Sequence, residues 1–210
     1  MDIHRHETAP GALSEHMLAD DPMTQFARWM SDARASGMPE PTAMVLATAS
    51  PDGRPRARTV LLKAHGHEGL TFYTNRTSRK GGDLAVNPLA CAVFPWYALR
   101  RQVTVEGSVR AMSREDSEPY FSSRPRESQI GAWASRQSQV IGSRSELDRR
   151  FGELERRWPP PTPVPMPDFW GGYVLVPDSV EFWQGGAYRL HDRLRYRRRD
   201  SGWIIERLSP

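Results

Sequence analysis

Apolar residues recur along this chain with two different periods. Phe26, Trp29, Met30 and Ala33 fall at i, i+3, i+4 and i+7, the spacing of one buried helical face. Asp21-Pro22 supplies a cap followed by proline at the first helical position, and Gly37 and Pro39 close the element. From Thr42 the period shortens to two. Runs rich in Val, Leu, Thr, Phe and Tyr predict strands at about 42–50, 55–63, 70–75, 89–95 and 101–111. Turn chemistry such as Pro51-Asp52-Gly53 and His67-Glu68-Gly69 separates them. A helical insertion follows, with Ser143 and Glu146 placed as a capping box and Leu147, Phe151, Leu154 and Trp158 as its stripe. Strands resume at about 171–177, 180–184, 189–198 and 203–207.

Two segments carry no such pattern. Residues 1–19 are polar and irregular and read as a flexible arm; the proline run within 159–168 reads as an extended loop inside a single domain spanning 20–210. Many strands, few helices and no βαβ alternation predict an α+β fold, a mainly antiparallel barrel with peripheral helices.

Composition narrows the function classes. The 210 residues hold 29 Lys and Arg against 25 Asp and Glu, a net charge of +4, a mild bias that suits anionic small molecules as well as nucleic acid. Cys91 is the single cysteine, which excludes an internal disulfide and any multi-cysteine metal site and fits a reducing, cytoplasmic setting. No run approaches the roughly 18 apolar residues of a membrane span, and the opening residues lack the apolar stretch of a secretory signal. Walker-type glycine loops, GxGxxG, HExxH and GxSxG are all missing.

Candidate chemistry rests instead on cations and hydroxyls placed along strands. On a regular strand Arg189, His191 and Arg193 would share one face, either as a solvated basic edge continued to Arg199 or as a seat for an anion. Tyr120, Arg124 and Ser128 recur every four residues, so a near-helical turn would line up phenol, guanidinium and hydroxyl, a set that suits a phosphate monoester. Pro125 interrupts that turn, leaving a polar helix junction as the other reading. Arg58 and Lys63, five apart, face opposite ways unless a bulge re-aims one. Ser78-Arg79-Lys80 resembles an anion-binding helix start or an ordinary cap. Gln102, Thr104 and Glu106 take one strand face while Val103 and Val105 take the other. His4, His6, His16, His65 and His67 read as solvated, and Cys91 as a buried structural thiol.

Taken together, Arg58-Thr-Val-Leu-Leu-Lys63, Phe72-Tyr-Thr-Asn75, Ser78-Arg-Lys80, Phe94-Pro-Trp96, Arg101-Gln-Val103, Ser123-Arg-Pro-Arg-Glu-Ser-Gln-Ile-Gly-Ala-Trp133, Phe182-Trp-Gln-Gly-Gly186 and Arg189-Leu-His-Asp-Arg193 resemble, in order, the pyridoxamine 5′-phosphate oxidase family. The resemblance implies an FMN-binding split β-barrel and a homodimer with FMN at the subunit interface, each site built from both chains. It implies oxidation of pyridoxamine or pyridoxine 5′-phosphate by O2 to pyridoxal 5′-phosphate and hydrogen peroxide, with no metal, nucleic acid or membrane partner. By resemblance, FMN contacts fall on Arg58, Thr59, Val60, Leu61, Leu62, Lys63, Tyr73, Thr74, Arg79 and Lys80, and on Gln102, Gln137, Ser138, Trp183 and Arg193. The substrate phosphate falls to Lys63, Tyr120, Arg124 and Ser128. The substrate ring falls to Arg189, Leu190 and His191, with Arg189 and His191 the catalytic candidates. Arg5 is carried over from the family's arm, where Thr8 replaces a tyrosine. A flavin oxidase of phenazine-type biosynthesis and a non-catalytic FMN or pyridoxal phosphate carrier are the alternatives, with a basic nucleic-acid binder using Arg193 to Arg199 a further one.

Overall fold

The computed structural model describes residues 11–200 and 202–210; Arg5 and Thr8 lie outside that range. The first helix, α1 (Pro22–Ala35), forms where its cap demands, with the Asp21 carboxylate accepting from the backbone N–H of Met23 and Thr24. Its buried face carries Phe26, Trp29, Met30 and Ala33. Phe26 meets Phe94 edge-on at 5.0 Å, and Trp29 meets Phe182 at 5.1 Å, so α1 closes one face of the sheet.

Nine antiparallel strands make that sheet: β1 (Ala43–Ala49), β2 (Pro55–Leu61), β3 (Ala64–Gly66), β4 (Gly69–Asn75), β5 (Leu89–Trp96), β6 (Arg101–Ala111), β7 (Trp170–Gln184), β8 (Asp192–Arg199) and β9 (Gly202–Arg207). The order is β2-β1-β5-β6-β7-β4-β3, with β8 and β9 branching from β7. The branch has a local cause. The stretches 171–177 and 180–184, expected as two strands, are one strand, and its register against β6 shifts between Glu106 and Gly107. The bulge bends β7, so its first half pairs with β4 and its second half with β8. Gly107 permits this: a Cβ there would lie 1.9 Å from the Val176 carbonyl oxygen.

Among the described residues five α-helices flank the sheet. After α1 come α2 (Arg79–Val86), α3 (Arg114–Ser123), α4 (Arg126–Ala134) and α5 (Arg144–Arg157). Ser143 caps α5 as expected, but Glu146 returns its bond to the N–H of Gly142 rather than to Ser143. Pro125 divides the turn expected to run through Tyr120, Arg124 and Ser128 into α3 and α4. The proline loop is fastened down: Arg126 donates to the Thr162 carbonyl at 2.8 Å, and the Trp133 indole to that of Pro165 at 2.7 Å.

Several expectations need correction. Residues 11–19 are docked rather than free. Leu13 and Ala19 are buried, the Leu13 N–H reaches the Asp192 carboxylate at 2.9 Å, and Tyr196 donates to the Ala19 carbonyl at 2.6 Å. The strand expected over 55–63 stops at Leu61, so the face argument does not apply to Lys63. The strand expected from 189 starts at Asp192. Tyr188 and Arg189 adopt left-handed φ of 54° and 67°, so Arg189, His191 and Arg193 do not share a strand face. His65 is half-buried against Phe26 at 5.2 Å, and that burial lowers its pKa. Cys91 is half-buried, because it points to the face opposite Ala90 and Ala92; burial still pushes its thiol up to about 11. Leu62 belongs to the core.

Candidate active site

Where β2 and β4 approach α3 and α4, a cleft of about 650 Å³ opens. Thr59, Val60 and Leu61 from β2 line it, with Lys63 just past the strand and Tyr73 and Thr74 from β4. Of the other expected residues, Lys80, Gln137, Tyr120, Arg124 and Ser128 line it too. The break at Pro125 does not separate the last three, because the turn it imposes keeps all of them on the cleft wall.

At one end Arg124 lies with its guanidinium carbon 5.0 Å from the Trp170 ring centre and 5.5 Å from that of Phe121. Its Nη1 is buried and has no hydrogen-bond partner among the described residues, and burial lowers its pKa. A desolvated, partly unsatisfied guanidinium is the feature an anion would complete. Lys63 places its ammonium 6.0 Å from the Tyr120 ring centre. Tyr120 in turn stacks on Tyr73 at 4.1 Å, and Tyr73 on Trp170 at 5.2 Å. Three parallel rings thus form a rigid plate under the two cations.

At the other end Lys80 is buried with its ammonium 3.0 Å from Thr74 Oγ1 and 2.7 Å from Gln137 Oε1. No carboxylate among the described residues neutralises it, and burial, followed by the charge of Arg58, lowers its pKa to about 8. Beyond it a second hollow of about 390 Å³ is lined by Arg56, Arg58, Arg79, Lys80 and Ser138. Ser78 caps α2 there and the Arg79 N–H donates to Ser138 Oγ at 3.2 Å, so a helix start and four cations converge. Among the described residues Asp83 opposes them. It is buried, accepts from Thr48 at 2.7 Å and from Arg56 at 2.6 Å, and lies 3.9 Å from Arg58.

The remaining candidates lie elsewhere on the chain. Gln102, Trp183 and Arg193 are cross-strand partners in one row over β6, β7 and β8, and none of them lines the cleft. Arg193 is held by both oxygens of Glu181, at 2.7 and 2.9 Å. Arg195 and Arg197 share Glu206, so the basic strand spends these guanidinium groups on neighbouring carboxylates. Arg189 and Leu190 are exposed on the loop between β7 and β8, and His191 packs on Trp183 at 4.6 Å. Asp83, Trp170, Asn75 and Ser135 were not assigned to the site from sequence. Only the lone carboxylate of α2 offered a signal there, as an acid among basic neighbours. Among the described residues no group of three or more His, Cys, Asp or Glu side chains could hold a metal, and no helix is long and apolar enough to cross a membrane.

A family profile described as pyridoxamine 5′-phosphate oxidase matches residues 30–157, and one described as pyridoxine 5′-phosphate oxidase C-terminal dimerisation region matches residues 170–210. A Frankia alni protein named pyridoxine/pyridoxamine 5′-phosphate oxidase is 59% identical, over 95% of this chain and 85% of its own length. One of the same name from Thermobifida fusca is 51% identical, over 97% and 96%. Among solved structures, PhzG from Burkholderia lata 383, in complex with tetrahydrophenazine-1-carboxylic acid, superposes with a TM-score of 0.89 at 29% identity, covering 96% of this chain and all of that one (100%). A Nostoc punctiforme FMN-binding protein related to pyridoxamine 5′-phosphate oxidase shares the fold, with a TM-score of 0.72 at 18% identity over 92% and 100% of the two chains.

Proposed function

The chain belongs to the pyridoxamine 5′-phosphate oxidase family, and from that premise we propose that it oxidises pyridoxine and pyridoxamine 5′-phosphate to pyridoxal 5′-phosphate with FMN as cofactor. Pyridoxine phosphate and O2 give pyridoxal phosphate and H2O2; pyridoxamine phosphate, O2 and water give pyridoxal phosphate, ammonia and H2O2. FMN, when bound, accepts the two electrons and passes them to O2.

The observation that carries this reading is the pair of cationic ends on one cleft. Each end suits a phosphate monoester, and the aromatic and strand wall between them suits flat rings. The residues present fit FMN: Arg58, Arg79, Lys80 and Ser138 would hold its phosphate. Thr59, Val60, Leu61, Tyr73, Thr74 and Gln137 would line its ring and chain. Lys63, Tyr120, Arg124 and Ser128 would take the substrate phosphate, the unpartnered Arg124 Nη1–H donating to one of its oxygens. Fixing that distal group presents the reacting carbon without a rotational search.

The chain acts as a homodimer in this proposal, because the C-terminal region matches a dimerisation profile. The row Gln102, Trp183 and Arg193, with Arg189, Leu190 and His191 beside it, would complete the cleft of a second copy. A cytoplasmic setting belongs to the same reading.

The test is an absorption spectrum of the purified protein before and after anaerobic pyridoxine 5′-phosphate. Loss of the oxidised-flavin bands is the expected result. Bands that persist with this substrate yet bleach with a dihydrophenazine would move the assignment to a phenazine-type oxidase, and protein that takes up no FMN would overturn the oxidase reading.

A further inference from the structure

The loop joining β7 to β8 folds back so that Gly186 and His191 meet. The Gly186 backbone N–H donates to His191 Nδ1 at 3.1 Å. Two backbone bonds set the reversal, Leu190 N–H to the Ala187 carbonyl at 2.9 Å and His191 N–H to that of Arg189 at 3.0 Å. Outside the reversal, the Gly185 N–H donates to the Arg100 carbonyl at 2.8 Å. Only glycine allows the contact, because a Cβ on residue 186 would lie 1.9 Å from the Leu190 carbonyl oxygen. The imidazole also packs on Trp183 with ring centres 4.6 Å apart, which fixes its plane.

A ring nitrogen that accepts a backbone N–H carries no proton of its own, so the neutral ring keeps its proton on Nε2. Protonating Nδ1 would set two donors against each other. Nε2 makes no hydrogen bond among the described residues and is the ring's one polar atom without a partner there. We propose that His191 works as a neutral Nε2–H donor to a lone pair on the substrate ring, and that Gly186 is the positioning residue that fixes this tautomer. The proposal rests on the reading above that His191 meets the substrate. It assigns His191 no proton abstraction: Nδ1 has its lone pair engaged and Nε2 is already protonated.

The test uses FMN-loaded dimer labelled with 15N-histidine. Two-bond 15N–1H correlation spectra, with His191→Gln identifying the signal, read which nitrogen bears the proton. An Nε2–H pattern is expected, and an Nδ1–H pattern would overturn the assignment. Kinetics then separate donor from base. The side-chain amide of glutamine reaches the Nε2 position and can donate; leucine cannot. His191→Leu is expected to lower kcat/KM about tenfold or more, and His191→Gln to recover most of that loss with flavin content unchanged. Equal damage in both variants would refute the donor role. A leucine variant with unaltered KM and kcat would instead remove the substrate contact, leaving the spectra to decide the tautomer.

Discussion

Lys80→Met tests whether the buried ammonium is kept for an anion rather than for the fold. Burial takes the Lys80 pKa from its ordinary 10.5 to about 8, and at about 1.4 kcal/mol per tenfold change in proton affinity charging it costs the ligand-free fold at most about 3.5 kcal/mol. The bonds to Thr74 and Gln137 return about 1 kcal/mol each, so the ligand-free variant is expected to match the parent or exceed it by up to about 1.5 kcal/mol at pH 7. The sign of the pH effect follows from proton counts. Between about 8 and 10.5 the unfolded chain holds a proton that the folded one has released, so the parent gains stability as pH rises through that window. The variant loses this slope. FMN brings a phosphate carrying about −1.5 to −2 charges at neutral pH, which restores the proton; binding therefore takes up a proton above pH about 8 and weakens as pH climbs further. Without the ammonium, FMN affinity is expected to fall about 10- to 100-fold, the worth of one charge-assisted bond. Urea unfolding of ligand-free protein at pH 7 and 9.5, and titration of flavin fluorescence, supply the readings. A variant clearly less stable at pH 7, or one that binds FMN as tightly as the parent, would refute the argument.

Three further outcomes follow from the geometry. Arg124→Ala removes the cation stacked on Trp170 and is expected to raise KM for pyridoxine 5′-phosphate about 10- to 100-fold while FMN affinity holds; unchanged steady-state constants would end the phosphate-anchor assignment. Gly107→Ala drives a Cβ into the Val176 carbonyl, whereas Gly82→Ala adds one to open space on α2. Thermal unfolding should show the first destabilised by about 2–3 kcal/mol and the second stabilised by about 0.5–1 kcal/mol, and similar melting points for both would contradict the bulge account. Asp192→Ala strips the acceptor from the Leu13 N–H and from Arg207; a loss of about 1 kcal/mol should speed cleavage after Glu15 by a glutamyl endopeptidase several-fold, and an unaltered rate would show that the strap is held elsewhere.

What could be read from the sequence was whatever is settled within a few residues. The cap at Asp21, the stripe of α1 and the alternation of Val103 and Val105 against Gln102 and Thr104 are local matters, and the folded chain keeps them. The errors fall where distant segments decide. Lys63 leaves the strand pattern because its N–H pairs with the Thr71 carbonyl, a contact set by register. Arg189 turns left-handed inside a loop whose ends, Gly186 and His191, meet. Asp83 finds Thr48 and Arg56, 35 and 27 residues away, and no spacing rule connects the three. The same reasoning explains why the spacing of Tyr120, Arg124 and Ser128 left two readings open. A period of four says that three side chains can share a side, and it cannot say what stands opposite. Here Lys63, Tyr73 and Trp170 stand opposite, contributed by segments about 50 residues before and after, and they turn a polar helix junction into one wall of a cleft. A phosphate site of this kind is therefore a property of sheet register more than of motif. Shifting β4 by one residue against β7 would carry Tyr73 to the other face and dismantle the site without changing any of its four anchoring side chains.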